Sequence, residues 1–252
     1  ATAFGYASKA SGYAATASGR ETTASGNYAT ASGYGTIASS DSANAWGKET
    51  NASAANATAF GSKTTANGEN ATAFGSKTIA SGQNATAWGE EGTTASGLSS
   101  TAWGRANTAS GDYSTVWGSG NKATTTYATA WGHLAEANGH TSTAWGEETK
   151  ANGTLSTAWG QWTEASKERS TAWGMYSRAI SDDSTAWGYE TTAGKDGNGG
   201  AYATAFGYKS TASGTGATAW GGGVWKKDPS VETDPNDPST WAKAYTGGTA
   251  TG

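Results

Sequence analysis

Few side chains in this sequence could do covalent or metal chemistry. His133 and His140 are the only histidines, and cysteine is absent. The two histidines stand half a period apart in a 14-residue repeat, so one chain cannot close both around a metal ion. Asp228, Glu232, Asp234 and Asp237 could offer oxygens to calcium, but their spacing departs from D-x-[DN]-x-[DN]-G and reads as a solvated loop. "GKDGNGG" at Gly194–Gly200 lacks the repeated nonapeptide of calcium-binding rolls. There is no Ser-His-Asp set, nucleophile elbow, phosphate loop or pair of carboxylates suited to glycoside hydrolysis. The expectation is a non-enzymatic protein with no cofactor and no metal.

What remains is aromatic chemistry, from 13 Trp, 11 Tyr and 4 Phe. Exposed rings favour binding surfaces. Tyr6, Tyr34, Tyr113, Tyr127, Tyr189, Tyr208 and Trp162 are expected in turns. A Gly-rich insertion from Ala193 to Tyr202 adds further polar groups. Trp162, Tyr189, Lys195, Asp196, Asn198, Tyr202 and Tyr208 are therefore the candidate ligand-binding residues. For the rings the competing reading is edge packing between neighbouring turns of the repeat. For the insertion it is a tolerated loop, since added loop length is cheap.

The elements that position these groups follow from composition and period. Leu is confined to Leu98, Leu134 and Leu155, and Ile to Ile37, Ile79 and Ile180, so an ordinary aliphatic core is unavailable. Such a shortage suggests disorder, but the aromatic content argues against it. The net charge of -4 comes without a basic stripe, which excludes nucleic acid as an expected partner. No apolar run approaches the ~18 residues of a membrane span. No signal peptide is evident, and the sequence reads as a piece of something longer.

The glycine of an A-[FW]-G motif recurs at 16 places from Gly5 to Gly221, and 13 of the 15 intervals are 14 residues. The others are 15 (Gly89 to Gly104) and 19 (Gly188 to Gly207). Relative to this marker glycine, small residues occupy positions four and two before, and three and five after. Alternation of small residues means β-strands with one crowded face. Two strands of about five residues, joined by turns such as Asn67–Gly68, Asn138–Gly139 and Asn152–Gly153, fill one coil. Stacked coils form a parallel β-roll with a thin interior, about 75 Å long at roughly 4.8 Å per coil. Residues 1–221 form this roll. Residues 222–252 hold all three prolines and read as an irregular insertion or exit segment.

Phe or Trp precedes the marker glycine in 14 of 16 coils. By alternation these rings share the outward face with the Thr two residues earlier. On the second strand the outward residues are polar, as at Lys150, Glu164 and Arg178. An aromatic in every coil makes an apolar ridge far beyond the few hundred Å² that a monomer normally exposes. The ridge of Phe60, Phe74, Trp88, Trp103, Trp117, Trp131, Trp145, Trp159, Trp173, Trp187, Phe206 and Trp220 is therefore the expected self-association interface. A homotrimer is the simplest closed bundle, although a dimer would also bury one ridge per chain.

"NATAFG" at Asn70–Gly75 and "NATAWG" at Asn84–Gly89, followed by "SKTIASG" and "EEGTTASG", resemble the YadA-like head repeat of trimeric autotransporter adhesins. The family pattern is N-S-V-A-I-G followed by x-x-S-x-A-x-G; here Thr replaces Val, and Phe or Trp replaces Ile. The resemblance covers Ala1 to Gly221. It implies a left-handed parallel β-roll, homotrimeric, at the tip of a fibre on the bacterial surface and anchored in the outer membrane through a region outside this sequence. It also implies virulence-associated cell adhesion to host extracellular-matrix or cell-surface receptor proteins, CEACAM-type receptors among them. The alternative is a passive spacer in an adhesin fibre whose ligand site lies elsewhere. An ice-binding solenoid would use the recurrent Thr, but the ring beside each Thr spoils a flat hydroxyl array.

Overall fold

The computed structural model describes residues 1–195 and 199–221, and for the backbone alone Thr249–Ala250. Asp196 and Asn198 lie outside the described residues, as does the rest of the segment 222–252. All regular structure described is β-strand, and each coil contributes one long and one short strand.

The chain divides into two units, Ala1–Leu134 and Ala135–Gly252. In the first, long strands from Thr2–Phe4 to Thr129–His133 lie in chain order in one sheet, and short strands from Lys9–Ala10 to Lys122–Ala123 in another. In the second, the long strands run from Thr143–Glu147 to Thr218–Trp220 and the short ones from Glu136–Ala137 to Thr249–Ala250. Pairing is parallel and in register, residue on equivalent residue: Thr72 on Thr86, Phe74 on Trp88, Gly75 on Gly89. This is the expected all-β parallel solenoid.

The alternation expected from sequence decides which side chains enter. In Thr157–Gln161, Ala158 is fully buried while Trp159 faces out. Ala five residues after the marker glycine closes the interior from the short strand, as at Ala151 and Ala165. Val116 is the bulkiest of the fully buried side chains, followed by Asn107, Asn121 and a row of threonines. The interior is thus methyl- and hydroxyl-lined and too thin for larger aliphatics.

Of the polar residues three after the marker glycine, Ser8, Thr93, Asn107, Asn121 and Ser177 reach the next coil's marker carbonyl, whereas the hydroxyls of Thr22, Thr36, Thr50, Thr64, Thr78, Thr149 and Thr163 are buried without a hydrogen-bond partner. Ser8 Oγ donates to Gly19 O at 2.9 Å and Thr93 Oγ1 to Gly104 O at 2.9 Å. Asn107 Nδ2 donates to Trp103 O at 2.6 Å and Gly118 O at 2.7 Å, while its Oδ1 accepts the Asn121 N–H at 2.8 Å. Pairing of this kind is what makes a buried amide tolerable.

The two strands differ from the expected equal lengths. The long one has five residues, as in Thr143–Glu147, but the short one has two, as in Lys150–Ala151. The cause is the turns. Each coil carries two left-handed residues, such as Glu148 at φ 51° and Leu155 at φ 58°. An L-residue there costs about 1–2 kcal/mol, offset here by an inter-coil bond from the same residue, Leu155 N–H to His140 O at 2.9 Å. These turns consume the residues that a longer second strand would need.

At Gly75, φ is +122° and an added Cβ would stand 1.9 Å from Gly89 O, so both conformation and space demand glycine. The Asn–Gly turns differ. At Gly68, φ is not left-handed, and glycine is required only because a Cβ would meet Gly82 O at 2.0 Å.

Irregularities leave the register intact. The extra residue near Glu90–Thr94 enlarges a turn at Glu91–Gly92 that has open space around it, and Ile79 still pairs with Thr94. Across the five-residue insertion Thr192 pairs with Thr211. Thr249–Ala250 pairs with Thr211–Ala212, so the sheet of short strands continues after segment 222–248.

Candidate functional site

The residue before each marker glycine points away from the interior, and parallel in-register pairing sets it against its counterpart one coil on. In the first unit Phe60 and Phe74 stack with ring centres 4.9 Å apart, and Trp88 and Trp103 at 5.3 Å. In the second, Trp145, Trp159, Trp173, Trp187 and Phe206 follow one another at 5.2, 5.1, 4.9 and 5.1 Å, each pair within 18° of parallel. Stacking covers ring faces and leaves edges open. Trp103 remains 51% exposed and Trp159 37%. Each unit therefore carries an apolar ridge with its outer edge in solvent, beginning in the first unit at Trp46 after Ser18 and Ser32.

Two grooves border the ridge in the first unit. One, of about 550 Å³, runs along the marker glycines and is lined by Gly75, Ser76, Gly89, Glu90, Gly104, Arg105 and Gly118. The other, of about 310 Å³, lies among Thr115, Trp117, Thr129, Ala130 and Trp131.

Chemical variety is concentrated at the corner that follows the long strand, one and two residues after the marker glycine. In the second unit this corner holds a second ring ladder. Trp162 stacks on Tyr176 at 4.7 Å and 13°, Tyr176 meets Tyr189 edge-on at 6.2 Å, and Tyr189 stacks on Tyr208 at 5.3 Å. Lys209 Nζ closes it, 5.3 Å from the Tyr208 ring centre and 3.4 Å from the Glu190 carboxylate. Hydrogen bonding to Glu190 holds the Tyr189 phenol above its ordinary pKa, and Tyr208 together with Glu190 raises that of Lys209.

Trp162 and Tyr176 occupy left-handed backbone, at φ 52° and 56°. Tyr28, Leu134 and Leu155 adopt the same backbone at the turns of other coils, so this conformation belongs to the fold and sets where the rings stand. Tyr176, absent from the candidates drawn from sequence, is the link that joins Trp162 to Tyr189. The signal was available, because Tyr176 stands at the same place in its coil as Trp162.

The sequence-derived candidates do not converge. Trp162, Tyr189 and Tyr208 lie at this corner, while Lys195 and Tyr202 lie at the corner after the short strand. There Lys195 N donates to Ser181 Oγ at 3.1 Å, and Tyr202 is 65% exposed. Nearby Arg169 clasps Asp183 through Nε (2.6 Å) and Nη2 (2.9 Å) and also contacts Glu168. Arg169 holds the Asp183 carboxyl below its usual range. Tyr34, Tyr189 and Tyr208, expected in turns, are instead the last residues of their long strands, because pairing extends one residue past the marker glycine.

The YadA head domain repeat matches residues 1–22, 10–36, 52–78, 95–121, 151–177 and 199–223, together more than half of the chain. The chain belongs to the YadA head repeat family. No curated protein matches it significantly. Within the described residues the matched stretches of YadA head repeat coincide with stacked coils, and the aromatic ridge runs through those at 52–78, 95–121 and 151–177. The chain is thus an adhesin-type repeat on a β-roll. Among the described residues no group of three or more His, Asp or Glu is arranged to hold a metal ion, and no helix is long and apolar enough to cross a membrane.

Proposed function

We propose that this chain is the head of a bacterial surface adhesin, assembling as a homotrimer through its aromatic ridge and attaching to host extracellular-matrix or receptor proteins without catalysing a reaction. The ridge carries the assembly part of this reading. Rings already stacked within one chain still present their edges to water in coil after coil, an apolar surface that association would cover. One ridge per chain suits closure around an axis. Family membership supports placement on the cell surface, with an outer-membrane anchor outside this sequence.

Ligand attachment then falls to faces that a central ridge leaves free. The corner ladder from Trp162 to Tyr208 presents Trp and Tyr rings, the side chains enriched at protein-binding hot spots. CEACAM-type receptors and matrix proteins are the first partners to test. The experiment is a panel of immobilised matrix and receptor proteins probed with the purified chain, next to a Trp162→Asn variant. Binding weakened by that substitution supports the reading. A trimer that binds nothing on the panel would move the chain to the role of a spacer.

A further inference from the structure

At the corner after the long strand, five coils place a glutamate two residues after the marker glycine. Four of these carboxylates have a cation of their own. Glu21 pairs with Arg20 at 3.1 Å, Glu49 with Lys63 at 3.6 Å, Glu91 with Arg105 at 2.6 Å and Glu190 with Lys209 at 3.4 Å. The fifth, Glu148, has no cationic partner among the described residues and is exposed. Its neighbour Glu147 is also exposed and accepts only a neutral donor, Gln161 Nε2 at 2.7 Å.

The next residue at Glu148's position, one coil on, is Trp162, whose backbone N–H donates to Glu147 O at 2.9 Å. Trp162 begins the ring ladder. Tyr176 covers one of its faces, and on the other side the corresponding position holds Glu148 rather than a ring.

The first unit shows what such a corner can hold. Arg20 sits between Tyr6 and Tyr34, its guanidinium carbon 5.6 and 5.5 Å from the two ring centres, with Glu21 bonded to its Nε. Ring, guanidinium and carboxylate complete one another there. The second unit presents the ring and the carboxylates without the guanidinium.

We propose that Glu147, Glu148 and Trp162 form a receptor for an arginine side chain presented by a partner protein. The planar guanidinium would stack on the indole and donate to the carboxylates, a combination that favours arginine over lysine. The inference rests on the reading of this corner as the ligand-binding face and names its partner chemistry.

The test titrates the full chain with acetylated hexa-arginine and hexa-lysine peptides at low and high salt, following binding by calorimetry. Hexa-arginine should bind several-fold more tightly than hexa-lysine. A Glu147→Gln/Glu148→Gln double variant and a Trp162→Asn variant should each lose about three- to tenfold in affinity. Asn accepts left-handed backbone, which offsets the loss of the single ring contact with Tyr176, so Trp162→Asn should melt close to the parent, which separates lost binding from lost folding. Glu21→Gln, at a carboxylate already paired, should leave peptide binding unchanged. Equal loss in Glu21→Gln, or equal affinity for the two peptides, would reduce the effect to general electrostatics and overturn the proposal. So would loss of self-association in the double variant, which would assign these carboxylates to a contact between copies. Peptide binding without attachment to any host protein would leave this site standing and remove the adhesin reading. Host binding that survives both site variants would do the reverse.

Discussion

Trp159→Ala separates the two jobs assigned to the ridge. Trp159 stacks between Trp145 and Trp173 at 5.2 and 5.1 Å and keeps 37% of its surface in water. Losing two ring contacts within the chain costs about 1–3 kcal/mol, at roughly 0.5–1.5 per pair. The exposed 37% of a side chain of roughly 250 Å² is about 90 Å², or about 2 kcal/mol per chain when association covers it. Three chains lose about 7 kcal/mol together, a factor of about 10⁵ in the trimer association constant. The midpoint concentration of a monomer–trimer equilibrium varies as the inverse square root of that constant, so it should rise by about 300-fold. Sedimentation velocity over a concentration series reads this directly. Lys150→Ala, on the outward face of the sheet of short strands, is the control and should not move the midpoint. A parent chain that sediments as a monomer at micromolar concentration, or an unshifted midpoint in Trp159→Ala, would refute the assignment of the ridge to assembly.

Other substitutions probe the fold and its charges. Gly75→Ala should destabilise by at least about 3 kcal/mol in chemical denaturation, because the new Cβ would stand 1.9 Å from Gly89 O at a φ of +122°. Asn107→Ala strands Gly118 O, Trp103 O and the Asn121 N–H, so a loss of about 2–4 kcal/mol is expected, and Asn107→Ser should recover part of it by reaching Gly118 O as Ser177 reaches Gly188 O. Asp183 has a folded pKa below its unfolded value, so its pairing with Arg169 stabilises above the ordinary carboxylate range and is lost as pH falls through the folded pKa. Melting temperatures of the parent and Asp183→Asn should accordingly differ at neutral pH and converge in strong acid.

The solenoid, its register and its small-residue interior were legible because they repeat. Thirteen intervals of 14 residues leave one solution for where Ala144, Ala158 and Ala172 must point. The short second strand was not legible, because it depends on two left-handed residues per coil that carry no uniform residue type: Glu148, Trp162, Leu155 and Asn70 all adopt that backbone. The buried hydroxyl and amide bonds to the marker carbonyls were hidden for a related reason. Thr, Ser and Asn look interchangeable in sequence, yet the Asn107 and Asn121 amides reach the marker carbonyls while threonines such as Thr64 and Thr149 leave their hydroxyls unbonded. The candidate residues divided because sequence proximity misled. Lys195 and Tyr202 flank an insertion only a few residues from Tyr189 and Tyr208, yet a short strand separates their corners.

Parallel in-register stacking turns each position of the repeat into a column, and this decides where function can reside. A residue type repeated down a column satisfies its neighbours above and below: ring on ring at the ridge, amide on amide at Asn56, Asn70 and Asn84, which bond in series at 3.1 Å. Such a column has little chemistry left over except along its outer edge, and its natural use is an extended contact such as assembly. A break in a column has the opposite property. Where Trp162 follows Glu148, each lacks the neighbour of its own kind that the fold would otherwise supply, and each keeps a face or a charge unspent. Trp162 also holds a left-handed backbone that Asn or Gly would hold more easily. Replacing it should therefore leave the fold intact while changing what the corner binds, whereas replacing a ridge tryptophan should weaken the assembly. If Trp162→Asn lowered the melting temperature as far as Trp159→Ala does, the division between columns that build and breaks that bind would fail at the position where it is most exposed to test.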